Sequence, residues 1–173
     1  GKVTETKLTV GLDQRAKFSE ADRKAQFEAA MKVRALFEEE SALMDRIQFL
    51  RGALAKTGGG LSESDSLKKN VTDFDGKVYA VRKQIVATKE GGAITGEERL
   101  REHTDQLYGA ILSYEGKPGD YQLAYIEALK RELADATNQF AGLVEKDLPA
   151  LNEALKAKSQ PAISPPPQKV AVE

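Results

Sequence analysis

Six apolar residues, Leu67, Val71, Phe74, Val78, Val81 and Ile85, recur at alternating steps of four and three without interruption. At 3.6 residues per turn this spacing lines one face of an α-helix. A helix with a single apolar stripe has to bury it against a neighbour. Stripes of the same kind occur on both sides. Val33, Leu36, Phe37, Leu43, Met44, Ile47, Leu50 and Leu54 precede it, and Leu100, Leu107, Ile111 and Tyr114 follow. A fourth runs through Ile126, Leu129, Leu133, Ala136, Phe140, Leu143, Leu151 and Leu155.

Start and stop signals divide these stripes into four helices. Ser19 and Asp22 have the spacing of a capping box, and helix 1 is expected to run for ~35 residues from there to Thr57-Gly58-Gly59-Gly60, a flexible hinge. Ser62 and Asp65 form a second cap. Gly91-Gly92 is expected to end helix 2, and Thr95-Gly96-Glu97-Glu98 to cap a helix 3 of ~20 residues that stops at Gly116. Lys117-Pro118-Gly119-Asp120 supplies the turn into helix 4, where Pro149 predicts a kink or restart near Asp147.

The expected fold is therefore all-α: an antiparallel up-down-up-down four-helix bundle over residues 18–158. Helices 1 and 4, longer than helix 3, are expected to project past the others and offer a docking surface. Residues 1–17 form an extended segment. In it Thr4, Thr6, Leu8 and Val10 alternate like a strand, one with no second strand to pair with. Either it is the last strand of a sheet outside this sequence or a disordered leader. Residues 159–173 carry Pro161, Pro165, Pro166 and Pro167, read as an extended or disordered tail, a linker more often than a ligand. The chain starts at Gly1 with no charged-then-apolar leader, so the native start is expected elsewhere.

Composition removes whole classes of chemistry. With no cysteine and one histidine among 173 residues, thiolate nucleophiles, disulfides, cysteine zinc sites and two-imidazole centres are excluded. A formal charge of −1 gives no electrostatic reason to bind nucleic acid. No apolar run approaches the ~18 residues of a membrane span. No catalytic, cofactor-binding or metal-ligating residue is assigned.

The remaining candidates each have a plainer reading beside the functional one. His103 is read as a helical surface residue rather than a ligand, because the Glu-x-x-His pairs of dimetal bundles are missing. Within Glu38-Glu39-Glu40, Glu40 falls at the edge of the helix 1 stripe and is expected to pair with Arg34, Arg46, Arg82 or Arg131. Gly58-Gly59-Gly60 lacks the lysine of a phosphate loop. Tyr108, Tyr114, Tyr121 and Tyr125 gather in sequence around the turn between helices 3 and 4, as packing residues or as a protein or sugar contact patch.

Three segments carry a resemblance: Gly11-Leu12-Asp13-Gln14-Arg15-Ala16-Lys17, Asp22-Arg23-Lys24-Ala25-Gln26-Phe27, and Ala87-Thr88-Lys89-Glu90-Gly91-Gly92-Ala93-Ile94-Thr95-Gly96-Glu97-Glu98-Arg99-Leu100-Arg101-Glu102. They resemble the C-terminal helical region of large exported bacterial β-propeller proteins of the BNR-repeat or sortilin-like kind, often labelled glycosyl hydrolases. Gln14 stands where that family commonly has proline. The resemblance implies an upstream propeller as partner and a periplasmic or extracellular location. It implies no catalytic residue here, since the Asp-box repeats are missing and the chain has no tryptophan. The expected function is a non-catalytic accessory or interaction domain. The alternatives are a self-contained protein-binding or dimerisation module and, third, a hydrolase built on Glu40 and neighbouring carboxylates.

Overall fold

The computed structural model describes residues 1–169 apart from Leu12, Gln14, Ala16, Glu63 and residues 90–95. The Gln14 departure, the Gly91-Gly92 stop and the Thr95 cap lie outside the described residues. Among the described residues the regular structure is all helical. Helix α1 spans Glu20–Gly59, α2 Ser66–Ile85, α3 Leu100–Leu112, α4 Asp120–Gly142 and α5 Leu148–Ala157. A π turn, Leu143–Asp147, joins the last two into one continuous helix, which makes four among the described residues.

The helix ends show which local signals act. At Ser19 the side chain accepts the Asp22 N–H at 3.1 Å while the Asp22 carboxylate accepts the Ser19 N–H at 3.0 Å, the expected capping box. Gly58 and Gly59 belong to the last turn of α1 and are no hinge; a Cβ on Gly58 would lie 3.4 Å from Val71 Cγ1, so the glycine admits α2 closely. Asp65 alone caps α2, accepting the Leu67 N–H at 2.9 Å. Helix α2 already ends at Ile85, with Val86 in extended conformation. Helix α3 is 13 residues long, and its first turn is held by Glu102, which accepts the Arg99 N–H at 2.9 Å.

Pro149 does cause the disturbance expected, in a specific form. Proline removes one backbone donor and its ring crowds the carbonyl four residues back. The helix widens instead of breaking: the Leu148 N–H donates to the Leu143 carbonyl five residues earlier, and the backbone angles stay helical throughout.

Pairwise contacts fix how the helices run. Arg51 on α1 meets Asp75 on α2 at 2.8 Å, and Gly58 faces Val71, so these two helices are antiparallel. Ser41 meets Arg101 at 3.4 Å, Glu40 meets Thr104, and Arg23 meets Glu115 at 2.6 Å, so α3 is also antiparallel to α1. Helices α2 and α3 therefore point the same way and lie end to end along α1. Gln84 bonds Gln139 at 2.9 Å, Lys77 pairs with Asp147, and Lys158 pairs with Asp65 at 3.5 Å, which runs α4 and α5 back along the tandem pair.

The result is a bundle of three rods: α1, then α2 with α3, then α4 with α5. It departs from the expected up-down-up-down alternation. The physical reason is length. Helix α1 has 40 residues, about 60 Å at 1.5 Å per residue, and one 20-residue helix covers only half of it. The N-terminal half of its stripe is covered by α3, so neither α1 nor the last helix projects free. Leu67, Phe74, Val81, Leu107, Leu133 and Phe140 are all buried as the stripes require. Burying each such side chain fully is worth roughly 1.5–3 kcal/mol.

The two flanks differ from each other. Residues 3–10 join no strand; Val3, Leu8 and Val10 are fully exposed, because the described residues offer no sheet edge to pair with. Phe18, by contrast, lays its ring on Gly116, where φ is +158° and a Cβ would sit 2.7 Å from the ring. At the other end Ile163 is 5% exposed and belongs to the core. Its backbone bonds Asn152 in both directions, N–H to Oδ1 at 2.8 Å and carbonyl from Nδ2 at 2.9 Å. The Pro-rich segment is thus docked at Ile163 and Pro166 and not a free linker.

Candidate functional site

Polar groups concentrate where α2 gives way to α3 against the middle of α1. Glu97 Oε2 accepts the Thr88 N–H at 2.8 Å, the Thr88 hydroxyl at 3.3 Å and the Lys89 N–H at 3.3 Å, while its other oxygen holds the Arg99 guanidinium. The Thr88 N–H and then Arg99 pull the Glu97 carboxyl down to about 2. Glu102 accepts the Ala87 N–H at 3.2 Å as well as that of Arg99. Two carboxylates thereby satisfy the backbone donors that a broken helix exposes. Glu98 accepts from Gln106 at 2.8 Å and stands 3.6 Å from His103. Phe37, Arg101 and Asp105 complete a shallow groove beside these glutamates.

Glu40 lies behind that groove with no solvent exposure. Its partner is Thr104 of α3, at 2.6 Å, and none of the four arginines expected. Arg34 pairs with Glu38 at 3.2 Å, Arg46 stacks over Phe140, and Arg82 lies over Tyr79. Thr104 Oγ1 also lies 2.9 Å from the Leu100 carbonyl. The single Thr104 hydroxyl hydrogen thus has two acceptors within reach, Glu40 Oε1 on α1 and the Leu100 carbonyl one turn back on its own helix. Burial raises the Glu40 carboxyl, opposed by Thr104 and Arg101 and assisted by Glu102. Glu40 Oε2 has no partner, which also disfavours the ionised form. A carboxyl so enclosed does not meet a substrate; its chemistry is to join α1 to α3.

The four tyrosines have separate surroundings. Tyr108 packs edge-on against Phe37 of α1 with ring centroids 6.1 Å apart. Tyr125 leans on His103 at 6.4 Å, and burial raises its hydroxyl. Tyr114 donates to the Lys117 carbonyl at 3.2 Å beside Gln122, and Tyr121 is 73% exposed at the start of α4. Only Tyr114 and Tyr121 share the turn. His103 is half-buried and faces Glu98 and Tyr125.

Sequence reasoning missed the roles of Glu97 and Glu102, whose signal was present: two glutamates beside a stretch with unpaired N–H groups. It also missed Gln26, whose Nε2 donates to the Ile111 carbonyl at 2.7 Å and to that of Tyr114, closing the C-terminal end of α3. Among the described residues no group of three or more His, Asp or Glu side chains is placed to hold a metal ion, and no helix is long and apolar enough to cross a membrane. No protein-family model, curated protein or solved structure matches the chain.

Proposed function

We propose that this chain is a non-catalytic helical brace, an accessory domain of a larger exported β-propeller protein, whose work is to hold a fixed length between the parts it joins. The observation that carries this reading is where its polar side chains are spent. Glu40, Glu97, Glu102 and Gln26 are each committed to the chain's own backbone or to a neighbouring helix, at the joint within the second rod or where that rod meets α1. Groups so engaged hold a rod together and are not free to turn over a substrate. The propeller as partner, and with it a periplasmic or extracellular location, rests on the resemblance in the segments around Asp22 and Glu97.

A test is direct binding between this domain and the separately produced propeller region expected upstream, read by pull-down and calorimetry. Saturable binding supports the brace. Saturable hydrolysis of model glycosides or peptides by the domain alone would overturn it.

A second reading, recognition of another protein or a second copy, is favoured by one feature. Phe27 and Met31 stand one turn apart on the outer face of α1, 64% and 40% exposed. Light scattering of Phe27→Ser against the parent chain separates the two. A dimer lost in the variant supports recognition, and two identical monomers remove it.

A further inference from the structure

Beside the buried stripes of α1 and α2 runs a second pair of rows. Gln48, Arg51 and Ala55 each follow a buried residue of α1 by one position, and Asp75, Tyr79 and Arg82 each follow a buried residue of α2 in the same way. Residues at steps of three and four share a helix face, so each row flanks its stripe along one side. The antiparallel packing brings the rows together at the rim of the interface, where side chains from both helices wall a groove of about 540 Å³. That volume lies within the range of small-molecule sites.

The charges around this groove do not balance. Arg51, Arg82 and Lys83 gather on the ring of Tyr79, their charged groups 4.7, 5.9 and 5.6 Å from its centre. Three like charges so placed repel, and the negative face of the ring offsets only part of that repulsion. One carboxylate answers them: Asp75 accepts from Nε and Nη2 of Arg51 at 2.8 and 2.9 Å, which leaves the Nη1 amine over. Arg82 and Lys83 form no ion pair among the described residues, and Arg82, half-buried, lines the groove together with Arg51. The groove is open where Gly52 walls it, since a Cβ there would meet nothing within 4 Å.

We propose that this groove binds a small molecule through an oxyanion, a carboxylate or a phosphate group, held by Arg82 and by the spare Nη1 amine of Arg51, with Lys83 adding its charge at the rim. A planar guanidinium meets two oxygens of such a group at once, which a solvated lysine does not. The Gln48 amide supplies a neutral donor on the same wall, and Met44 and Ile47 give the uncharged body of the ligand an apolar surface. The site is independent of the brace reading and requires no upstream domain.

The test follows the arginine Nε–H resonances of Arg51 and Arg82 in the full, isotope-labelled chain while sodium phosphate or sodium acetate replaces sodium chloride at constant ionic strength. Both resonances are expected to shift saturably with at least one of the two oxyanions, with half-saturation below about 10 mM, and the tighter of the two names the group the site prefers. Arg82→Gln is expected to weaken that binding by roughly tenfold or more, the loss of one charge-assisted pair. Asp75→Asn frees the whole of Arg51 and is expected to tighten it. Gly52→Leu keeps every charge and fills the groove, so saturation should disappear while the helical circular dichroism is unchanged. Shifts that rise linearly with both anions mean general screening and overturn the proposal. Saturation that survives Gly52→Leu, or an affinity indifferent to Arg82→Gln, overturns it equally.

Discussion

The second and third rods are each interrupted once, and they carry the interruption by different chemistry. Between α2 and α3 the helix stops at Ile85, and the chain turns through backbone groups whose N–H donors are met by the carboxylates of Glu97 and Glu102. In the third rod Pro149 removes a donor, and the backbone widens by one residue into a π turn that stays helical. The cause of the difference is local. Apolar residues continue on both sides of Pro149, with Phe140, Leu148 and Leu151 all buried, so packing holds the helix together across the fault. After Ile85 only Val86 still packs against the core before Leu100 among the described residues, so the carboxylates carry more of this joint. One interruption should therefore respond to pH and the other should not.

The largest expected effect tests the packed joint. Phe140→Ala removes a wholly buried ring next to the π turn and should cost about 3–5 kcal/mol in chemical denaturation. A cost below ~1 kcal/mol would mean that packing does not hold this joint.

Next comes the electrostatic joint. Glu97 has an ordinary value of 4.5 and is held near 2 in the fold, so its contribution is present above pH 4.5 and is lost as pH falls toward 2. Hydrogen exchange at Thr88 and Lys89 should quicken over that window relative to Leu133 in the third rod. Glu97→Gln should give the fast rate already at pH 7, and unchanged protection in the variant would separate the carboxylate from the joint.

Glu40 should behave with the opposite sign. Its folded value is raised, so its contribution is complete below 4.5 and declines as pH rises toward the folded value. Glu40→Gln keeps an acceptor for the Thr104 hydroxyl without the titration. It should gain ~1 kcal/mol at pH 7, the scale of one hydrogen bond, and lose that advantage below pH 4.5. A parallel pH profile for the two proteins would refute a raised Glu40 carboxyl.

The smallest effect belongs to Pro149→Ala. Because the π turn already accommodates the ring, stability should change by less than ~1 kcal/mol. A gain near the ~3 kcal/mol of a proline in a regular helix interior would show strain that the turn had not relieved.

The pattern of what could be read from sequence follows the same division. The stripe from Leu67 to Ile85 and the Ser19 and Asp22 cap are local properties of successive residues and stand in the fold as read, while the disturbance expected near Asp147 takes the form of a π turn within a continuous helix. The tandem order of α2 and α3 was not legible, because stripes give the face a helix buries but not the direction in which the next helix leaves. The lengths hinted at it: α1 is about twice α2. The partner of Glu40 was misread because charge pairing was sought, whereas here the buried carboxyl takes its hydrogen bond from a neutral hydroxyl, Thr104. Ile163 was missed for want of any period, being one aliphatic residue among prolines. Of the tyrosines, sequence proximity grouped four that α3 and α4 distribute to different neighbours.

The central claim is that α2 and α3 lie in tandem along α1. The chain has no cysteine, so spin labels placed by Lys69→Cys at the start of α2 and Ser113→Cys just after α3 report one distance cleanly. The contacts place these positions beside α1 residues about 33 apart, which is ~50 Å. A pulsed dipolar distance near 50 Å is the expected result. A distance near 20 Å or below, as two helices folded back side by side would give, would contradict the three-rod account.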